Sequence, residues 1–309
     1  MKKLLLLLAM FCCLQAGAAT KGDVNGDNKV DVADVNVVID KILNLSSSNN
    51  TDVNGDGKTD VSDLNIIIDI ILGIYEEEHE YVDLGLPSGT LWATCNIGAE
   101  NKEDYGLYFA WGETKGYANG EEHTFDYAHY KWMTPGHSEW NYVTKYTHED
   151  NLKQGIWYNG DTYVGTTVNG VTYKNLTELL PEDDAATVNW GPEWRMPSAE
   201  EIEELLDPRY TYTSDGDCFG IYGQWIFSIS NGNSIFLPAA KFRTEWPTVG
   251  NYKSNWLVYM TREQFKQGAS ASHYNRDLSY SFGKFSVNSE MERYYGRTVR
   301  AVRVKKAKR

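Results

Sequence analysis

A twofold internal repeat near the start of the chain constrains the fold most strongly. Residues 23–45 and 52–74 are identical at 14 of 23 positions when aligned at an offset of 29. Each copy opens with an acidic loop, DVNGDNKVDVAD at 23–34 and DVNGDGKTDVSD at 52–63. A repeat of this kind predicts two copies of one structural unit, each stabilised by packing on the other.

The two loops share a spacing of oxygen-bearing side chains that is typical of calcium ligands. Oxygen donors fall at loop positions 1, 3, 5, 9 and 12, and position 7 adds a main-chain carbonyl. Several carboxylates in one short loop repel one another unless a cation lies between them. The sequence therefore predicts two Ca²⁺ ions, one for each loop. The ligands predicted for the first ion are Asp23, Asn25, Asp27, Lys29, Asp31 and Asp34, and those for the second are Asp52, Asn54, Asp56, Lys58, Asp60 and Asp63.

Position 6 of such a loop needs a sharp turn with positive φ. Gly57 adopts it without strain, whereas Asn28 is the next most tolerant residue type and adopts it at some cost. We therefore expect the first site to bind calcium more weakly than the second.

The first residues have the pattern of an export signal. Lys2 and Lys3 precede an apolar run, and small residues at 16–18 form a cleavage site, so residues 1–18 are predicted to be a signal peptide. The apolar run is too short for a membrane span, which needs roughly 20 residues, and the mature chain offers no longer one. We expect an exported protein in the extracellular space, at the cell surface or in the periplasm.

Each acidic loop leads into an apolar stripe with helical spacing. Too few residues separate the predicted cleavage site from Asp23 for a helix before the first loop, so the unit is loop–helix repeated twice rather than an ordinary EF-hand. The stripe residues are Val35, Val38, Ile39, Ile42 and Leu43 in the first copy and Leu64, Ile67, Ile68, Ile71 and Leu72 in the second.

This arrangement, with Asp instead of Glu at position 12, resembles the dockerin domain of cellulosome-type assemblies over residues 21–74. The resemblance implies an EF-hand-like, all-α module that docks onto a cohesin domain of another protein. It also implies that partner choice depends on the two residues before position 12, with further differences between the copies late on the helices. The partner-binding residues that follow are Val32, Ala33, Lys41, Val61, Ser62 and Ile70.

Composition changes abruptly after the repeat. Residues 21–80 carry 14 acidic and 4 basic side chains with Tyr75 as their one aromatic residue, whereas residues 81–309 contain 39 aromatic residues. The change predicts a domain boundary, with residues 75–80 as a linker and 81–309 as a second domain. Short strand-like runs are expected there at 91–97, 105–113, 223–229, 233–240, 255–260 and 298–304, and a helix begins after Ser198, which forms a capping box with Glu201.

The second domain resembles the Fibrobacter succinogenes major paralogous domain. The strings that carry the resemblance are YVDLGLPSGTLWATCNIGA (81–99), YFAWGET (108–114), DDAATVNWGPEWRMPSAEEIEELL (183–206), GNSIFLPAA (232–240) and YYGRTVRAVRV (294–304). That family is similar in turn to C-type-lectin-like and formylglycine-generating-enzyme folds. The resemblance implies a mixed α+β, lectin-like domain with no catalytic residues to transfer, so the fold class expected for the chain is α+β.

No residue pattern in the second domain predicts a particular catalytic site. The acidic residues, among them Glu113, Asp183 and Asp184, are too numerous for any pair to indicate a glycosidase. Aromatic rings can stack on sugars or anchor protein interfaces. Trp132 and Trp140 lie in the polar segment YKWMTPGHSEWN and are the candidates for exposed ligand contacts. Cys95 and Cys218, which remain after signal removal, form either a disulfide or two separate thiols.

These features predict a secreted, non-catalytic protein that docks to a cohesin partner and displays a lectin-like domain for glycan or a surface protein, in polysaccharide utilisation or cell-surface assembly. The alternative is a cellulosome-type enzyme that hydrolyses O-glycosyl bonds in polysaccharide catabolism. The net charge of −14 argues against nucleic acid as a partner.

Overall fold

The structure is a computed structural model that describes residues 20–47, 50–54, 57–73, 79–244, 256–265 and 273–304. The predicted signal peptide, the predicted ligand Asp56 and most of the predicted linker lie outside these ranges. The chain divides into two compact units, residues 1–76 and 77–309. The fold is mixed α+β, with few helices and many antiparallel strands.

The first unit contains two helices, α1 (Val32–Ile42) and α2 (Val61–Ile71), which follow the acidic loops as predicted. Its buried apolar core comprises Val24, Val38 and Ile67 among the described residues. The predicted apolar stripe ends earlier than expected, because Leu43 and Leu72 are C-cap residues and are exposed. Such a small core stabilises a fold only weakly.

The second unit consists of short antiparallel sheets joined by long connections. Its helices are α3 (Ala185–Trp190) and α4 (Ala199–Leu205). Its strands are β1 (Tyr81–Asp83), β2 (Thr90–Ala93), β3 (Tyr158–Asn159), β4 (Thr162–Tyr163), β5 (Thr166–Val168), β6 (Val171–Tyr173), β7 (Thr211–Cys218), β8 (Ile221–Ser228), β9 (Ser234–Pro238), β10 (Leu257–Gln264), β11 (Tyr274–Ser281), β12 (Lys284–Glu292) and β13 (Val302–Val304). Single turns of 3₁₀ helix span Trp140–Tyr142, Gly155–Trp157 and Pro181–Asp183.

The three-stranded sheets have the orders β1-β2-β13, β7-β8-β9 and β10-β11-β12, and two hairpins, β3-β4 and β5-β6, stand apart from them. Because β13 pairs with β2, the first and last strands of the unit share one sheet. Two apolar clusters form the core. One cluster contains most of the buried tryptophans. The other is formed by apolar residues that include those of α4 and of the inner faces of β8 to β11.

Most predicted strands are present, but the run 105–113 is not a strand. Positive φ at Gly106 and Gly112 interrupts the extended backbone there, and only isolated bridges form at Tyr108 and Phe109. The helix predicted after Ser198 is confirmed as α4, with the Ser198–Glu201 capping box. Sequence reasoning missed β7, whose polar residues lack strand-like patterning.

A buried ion pair joins β11 to the segment that precedes β13. The Arg297 guanidinium lies 2.7 Å from an Asp277 carboxylate oxygen, and neither side chain is exposed to solvent. Asn275 donates to the same carboxylate at 2.8 Å, and Arg297 also donates to the main-chain carbonyls of Glu292 and Arg293. Burial raises the pKa of Asp277 to about 7, although Arg297 opposes the shift.

Candidate calcium and docking site

The first acidic loop is organised around the carboxylates at its two ends. Asp23 accepts hydrogen bonds from the main-chain N–H groups of Gly26, Asp27 and Asn28 at 2.8–3.1 Å. Asp34 is fully buried and accepts from the N–H groups of Val24, Asn25 and Asp31 at 2.9–3.1 Å. The loop is therefore closed on itself, with position 12 bonded to positions 2, 3 and 9.

The second loop repeats these contacts at an offset of 29 residues. Asp63 is fully buried and accepts from the N–H groups of Val53, Asn54 and Asp60 at 2.7–3.0 Å. Asp52 accepts from the N–H group of Gly57 at 2.8 Å. The internal repeat of the sequence is thus a repeat of the hydrogen-bond network.

Positions 9 and 12 have a second role that sequence reasoning missed. Asp31 and Asp60 are the N-caps of α1 and α2, and each forms a capping box with the aspartate three residues later. The N–H group of Ser62, which donates to Asp60, holds the pKa of that carboxyl below its ordinary value. The side chains predicted to bind calcium are therefore the same ones that initiate the helices. The Asp-x-x-Asp spacing before an apolar run was the signal that could have revealed the caps.

The backbone turn expected at position 6 is present in both loops. Asn28 has φ +67° and Gly57 has φ +84°, so both residues are in the left-handed region. A Cβ at either Gly26 or Gly57 would meet no heavy atom within 4 Å, so the turns are limited by backbone conformation and not by space.

The donor chemistry of the loops fits calcium. Among the described residues, no three Asp, Glu, His or Cys side chains are gathered into a ready metal cluster. The predicted set is mixed, because each loop adds an Asn side chain and a main-chain carbonyl to its aspartates. Two fully buried carboxylates, Asp34 and Asp63, lie beside further acidic residues, and a bound cation would offset that repulsion.

Residues 21–72 match the dockerin type I domain. This family assignment agrees with the resemblance found in the sequence, and residues 21–72 are called the dockerin unit below. Dockerin type I domains bind calcium and dock onto cohesin domains, and dockerin proteins are typically extracellular or attached to the cell surface. No curated protein and no solved structure matches the chain.

The predicted partner-binding residues of the dockerin unit differ in accessibility. Val32 and Val61 are 63% and 59% exposed although both are apolar, and Ala33 and Ser62 beside them are also exposed. These pairs lie in the first turns of α1 and α2. Lys41 is half-buried. Ile70 is half-buried too, and its Cδ1 lies close to Gly22, the residue before the first loop.

Substitution at position 6 tests the predicted difference between the two calcium sites. A residue with a side chain adopts positive φ at a conformational cost, and Asn28→Gly removes that cost. We therefore expect the first site to bind calcium about two- to fivefold more tightly. Gly57→Asn is the matched variant and should weaken the second site by a similar factor. Isothermal titration with CaCl₂ measures both. Unchanged affinity in both variants would contradict the conformational argument.

The candidate ligand contacts of the large unit do not behave alike. The expectation that Trp132 is exposed is wrong. It is only 8% exposed, and its Nε1 donates to the carbonyl of Gly112 at 3.0 Å. Its ring also faces the ammonium groups of Lys131 and Lys145 at 4.4 and 4.8 Å. Trp140 is half-buried beside Trp157. Tertiary contacts therefore make Trp132 a core residue despite its polar sequence neighbours.

The acidic pair Asp183 and Asp184 has structural contacts. Asp183 is buried and bonded to the Lys145 ammonium at 2.6 Å and to the Tyr146 hydroxyl at 2.7 Å. Asp184 caps α3 and accepts from the N–H group of Met196. Burial also raises the pKa of Glu113, another acidic residue of this unit.

Cys95 and Cys218 are free thiols, which decides between the two alternatives left open by the sequence.

No helix in the described part of the chain is both long enough and apolar enough to cross a membrane.

Proposed function

We propose that this protein is an exported docking protein whose dockerin unit binds two calcium ions and a cohesin domain, and whose large unit is a non-catalytic, lectin-like binding domain. The observation that carries the docking part is the duplicated loop, with a buried aspartate at position 12 and an exposed pair at positions 10 and 11. Asp23, Asn25, Asp27, Asp31, Asp34 and the Lys29 carbonyl would hold one ion, and the corresponding residues of the second loop would hold the other.

Calcium supplies positive charge at the centre of each loop. The chain's own residues then do the recognition. The capping boxes fix where α1 and α2 begin, so Val32-Ala33 and Val61-Ser62 are presented at equivalent positions in the two copies. Exposed apolar side chains beside small residues favour a close protein contact, because their burial against a partner removes apolar surface from water.

The contacts of one acidic pair in the large unit argue against that pair as a hydrolytic site. The adjacent acidic residues Asp183 and Asp184 are both buried and engaged by protein donors, which leaves them unsuited to hold a sugar and a water molecule between them. The family strings found in the sequence favour a lectin-like fold, and the mixed α+β architecture is compatible with it. The first and last strands share a sheet, which joins the two ends of the unit in one folded body.

Docking is tested by surface plasmon resonance with residues 19–309 and a panel of immobilised cohesin domains. We expect binding in CaCl₂ and its loss in chelator. Val32→Asp/Val61→Asp should weaken binding at least tenfold, because it places charge at the apolar contacts. Val188→Asp, at an exposed valine of the large unit, is the matched control and should have no effect. Calcium-independent binding, or no binding to any cohesin, would contradict the docking proposal.

The binding role of the large unit is tested with an array of neutral and acidic polysaccharides, followed by chromatography of any products. Retention without released oligosaccharides is the expected result. Released oligosaccharides would instead establish the hydrolase alternative.

A further inference from the structure

Two hairpins of the large unit have phenylalanine at a position that disfavours it. The β7–β8 turn is Phe219-Gly220, closed by the pair Cys218 and Ile221, and its φ angles are +50° and +87°. The β11–β12 turn is Phe282-Gly283, closed by Ser281 and Lys284, with φ angles of +50° and +78°. Two central residues with positive φ are typical of a type I′ turn, which favours Asn-Gly.

The same chain shows the ordinary solution in a third hairpin. The β5–β6 turn has Asn169-Gly170, with φ angles of +50° and +79°. Positive φ is a genuine outlier for a bulky residue such as phenylalanine, whereas asparagine tolerates it. Turn geometry therefore explains Asn169 and does not explain Phe219 or Phe282.

Packing does not explain the two phenylalanines either. Phe219 is 84% exposed and Phe282 is 90% exposed. Each ring thus combines an unfavourable backbone conformation with a large apolar surface in water, and this combination occurs twice. Strained backbone at exposed, chemically distinctive residues is a feature of binding sites.

A fixed carboxylate connects the two hairpins. The Tyr280 hydroxyl, two residues before Phe282, donates to Asp215 on β7 at 2.5 Å. The Gln224 amide on β8 donates to the same carboxylate oxygen. These bonds hold the pKa of Asp215 below its ordinary value, and the bond from Gln224 has the larger effect. Asp215 is itself exposed, so it is an oriented, ionised acceptor between two strands that lead toward the two tips.

We propose that Phe219 and Phe282 are the apolar contacts of a neutral-polysaccharide site and that Asp215 accepts hydrogen bonds from the sugar hydroxyls. This inference rests on the glycan-binding function proposed above. A sugar ring offers an apolar C–H face to an aromatic ring and hydroxyl donors to a carboxylate. Residues 81–309 carry 29 acidic against 23 basic side chains, and this negative balance disfavours an acidic polymer or an anionic lipid surface as the occupant.

The test uses Phe219→Asn, Phe282→Asn and the double variant in residues 19–309 with calcium. Because asparagine suits the turn, we expect each substitution to raise the Tm of the large unit by about 2–4 °C. In affinity electrophoresis with soluble β-glucan, xylan and mannan, we expect the double variant to bind at least about tenfold more weakly. Asp215→Asn should also weaken binding, since a neutral amide is a poorer acceptor.

Tyr212→Ser is the matched control, because Tyr212 is an exposed aromatic residue of β7 at the end of the strand away from the turn. It should leave binding unchanged. Wild-type binding that persists in the double variant would overturn this site while leaving the glycan-binding function in place. Failure of the wild-type chain to bind any of the three glycans would overturn that function and the site with it. A lower Tm in the Asn variants would also overturn the proposal. The same holds if the wild-type chain binds phosphatidylcholine vesicles and the double variant loses that binding while its glycan binding is unchanged.

Discussion

Chelation of calcium in residues 19–309 is expected to unfold the dockerin unit while the large unit stays folded. Val24, Val38 and Ile67 are the buried apolar core of the first unit among its described residues. Such a core stabilises little against the conformational entropy of ordering two loops and two helices. When the free calcium concentration is 100 times the Kd of a site, binding at that site adds about 2.7 kcal/mol to the free energy of unfolding. Calcium therefore supplies a decisive share of the stability.

Hydrogen exchange read out by mass spectrometry measures this effect. Protection of the amides in α1 and α2 should fall at least about 100-fold in EGTA, the factor that corresponds to one ion at that concentration. The amides of β8 in the large unit are the internal control and should keep their protection. Helical protection that is unchanged in EGTA would contradict the prediction. It would mean that packing alone holds the two helices.

Replacement of Arg297 by methionine is expected to destabilise the large unit by about 3–5 kcal/mol, because it leaves the Asp277 carboxylate buried without its cation. For a unit of this size the loss corresponds to a fall in Tm of roughly 10 °C. Differential scanning calorimetry measures it. The double variant Arg297→Met/Asp277→Leu removes both charges and should recover a large part of the loss.

The loss should also depend on pH with a defined sign. Burial raises the pKa of Asp277 to about 7, and removal of Arg297 takes away the interaction that opposes this rise. The folded variant then holds a proton that the unfolded chain releases above about pH 4. The free energy of unfolding falls with rising pH in both proteins, but in the wild type the fall ends near pH 7, whereas in the variant it continues toward the higher folded pKa. Arg297→Met should be less destabilising at pH 5 than at pH 8, and equal losses at both values would contradict this account.

Sequence reasoning located the dockerin unit because its chemistry is local. Every predicted ligand of the first ion lies within residues 23–34, and the same stretch contains the N-cap Asp31 and the left-handed turn at Asn28. The second loop repeats the same spacing of acidic residues and so supports the same prediction independently. A twelve-residue loop can therefore be interpreted without knowledge of what packs around it.

The large unit was harder to predict because its decisive contacts join distant residues. Trp132 lies in a polar segment, yet its indole donates to Gly112, 20 residues away, and is buried. The bond between Tyr280 and Asp215 spans 65 residues. Local sequence cannot predict burial that another part of the chain creates.

The amino-acid sequence by itself determined the duplicated acidic loops, the apolar stripes of the helices that follow them, the change in composition between the two units and the capping box of α4. Tertiary structure alone decided that Cys95 and Cys218 stay apart, that Arg297 and Asp277 are buried as a pair, and that Phe219 and Phe282 stand exposed in left-handed turns. The physical reason is the separation along the chain of the residues that interact. The hydrogen bonds and helix caps of an acidic loop form within that loop, whereas burial and ion pairing depend on which distant segments meet.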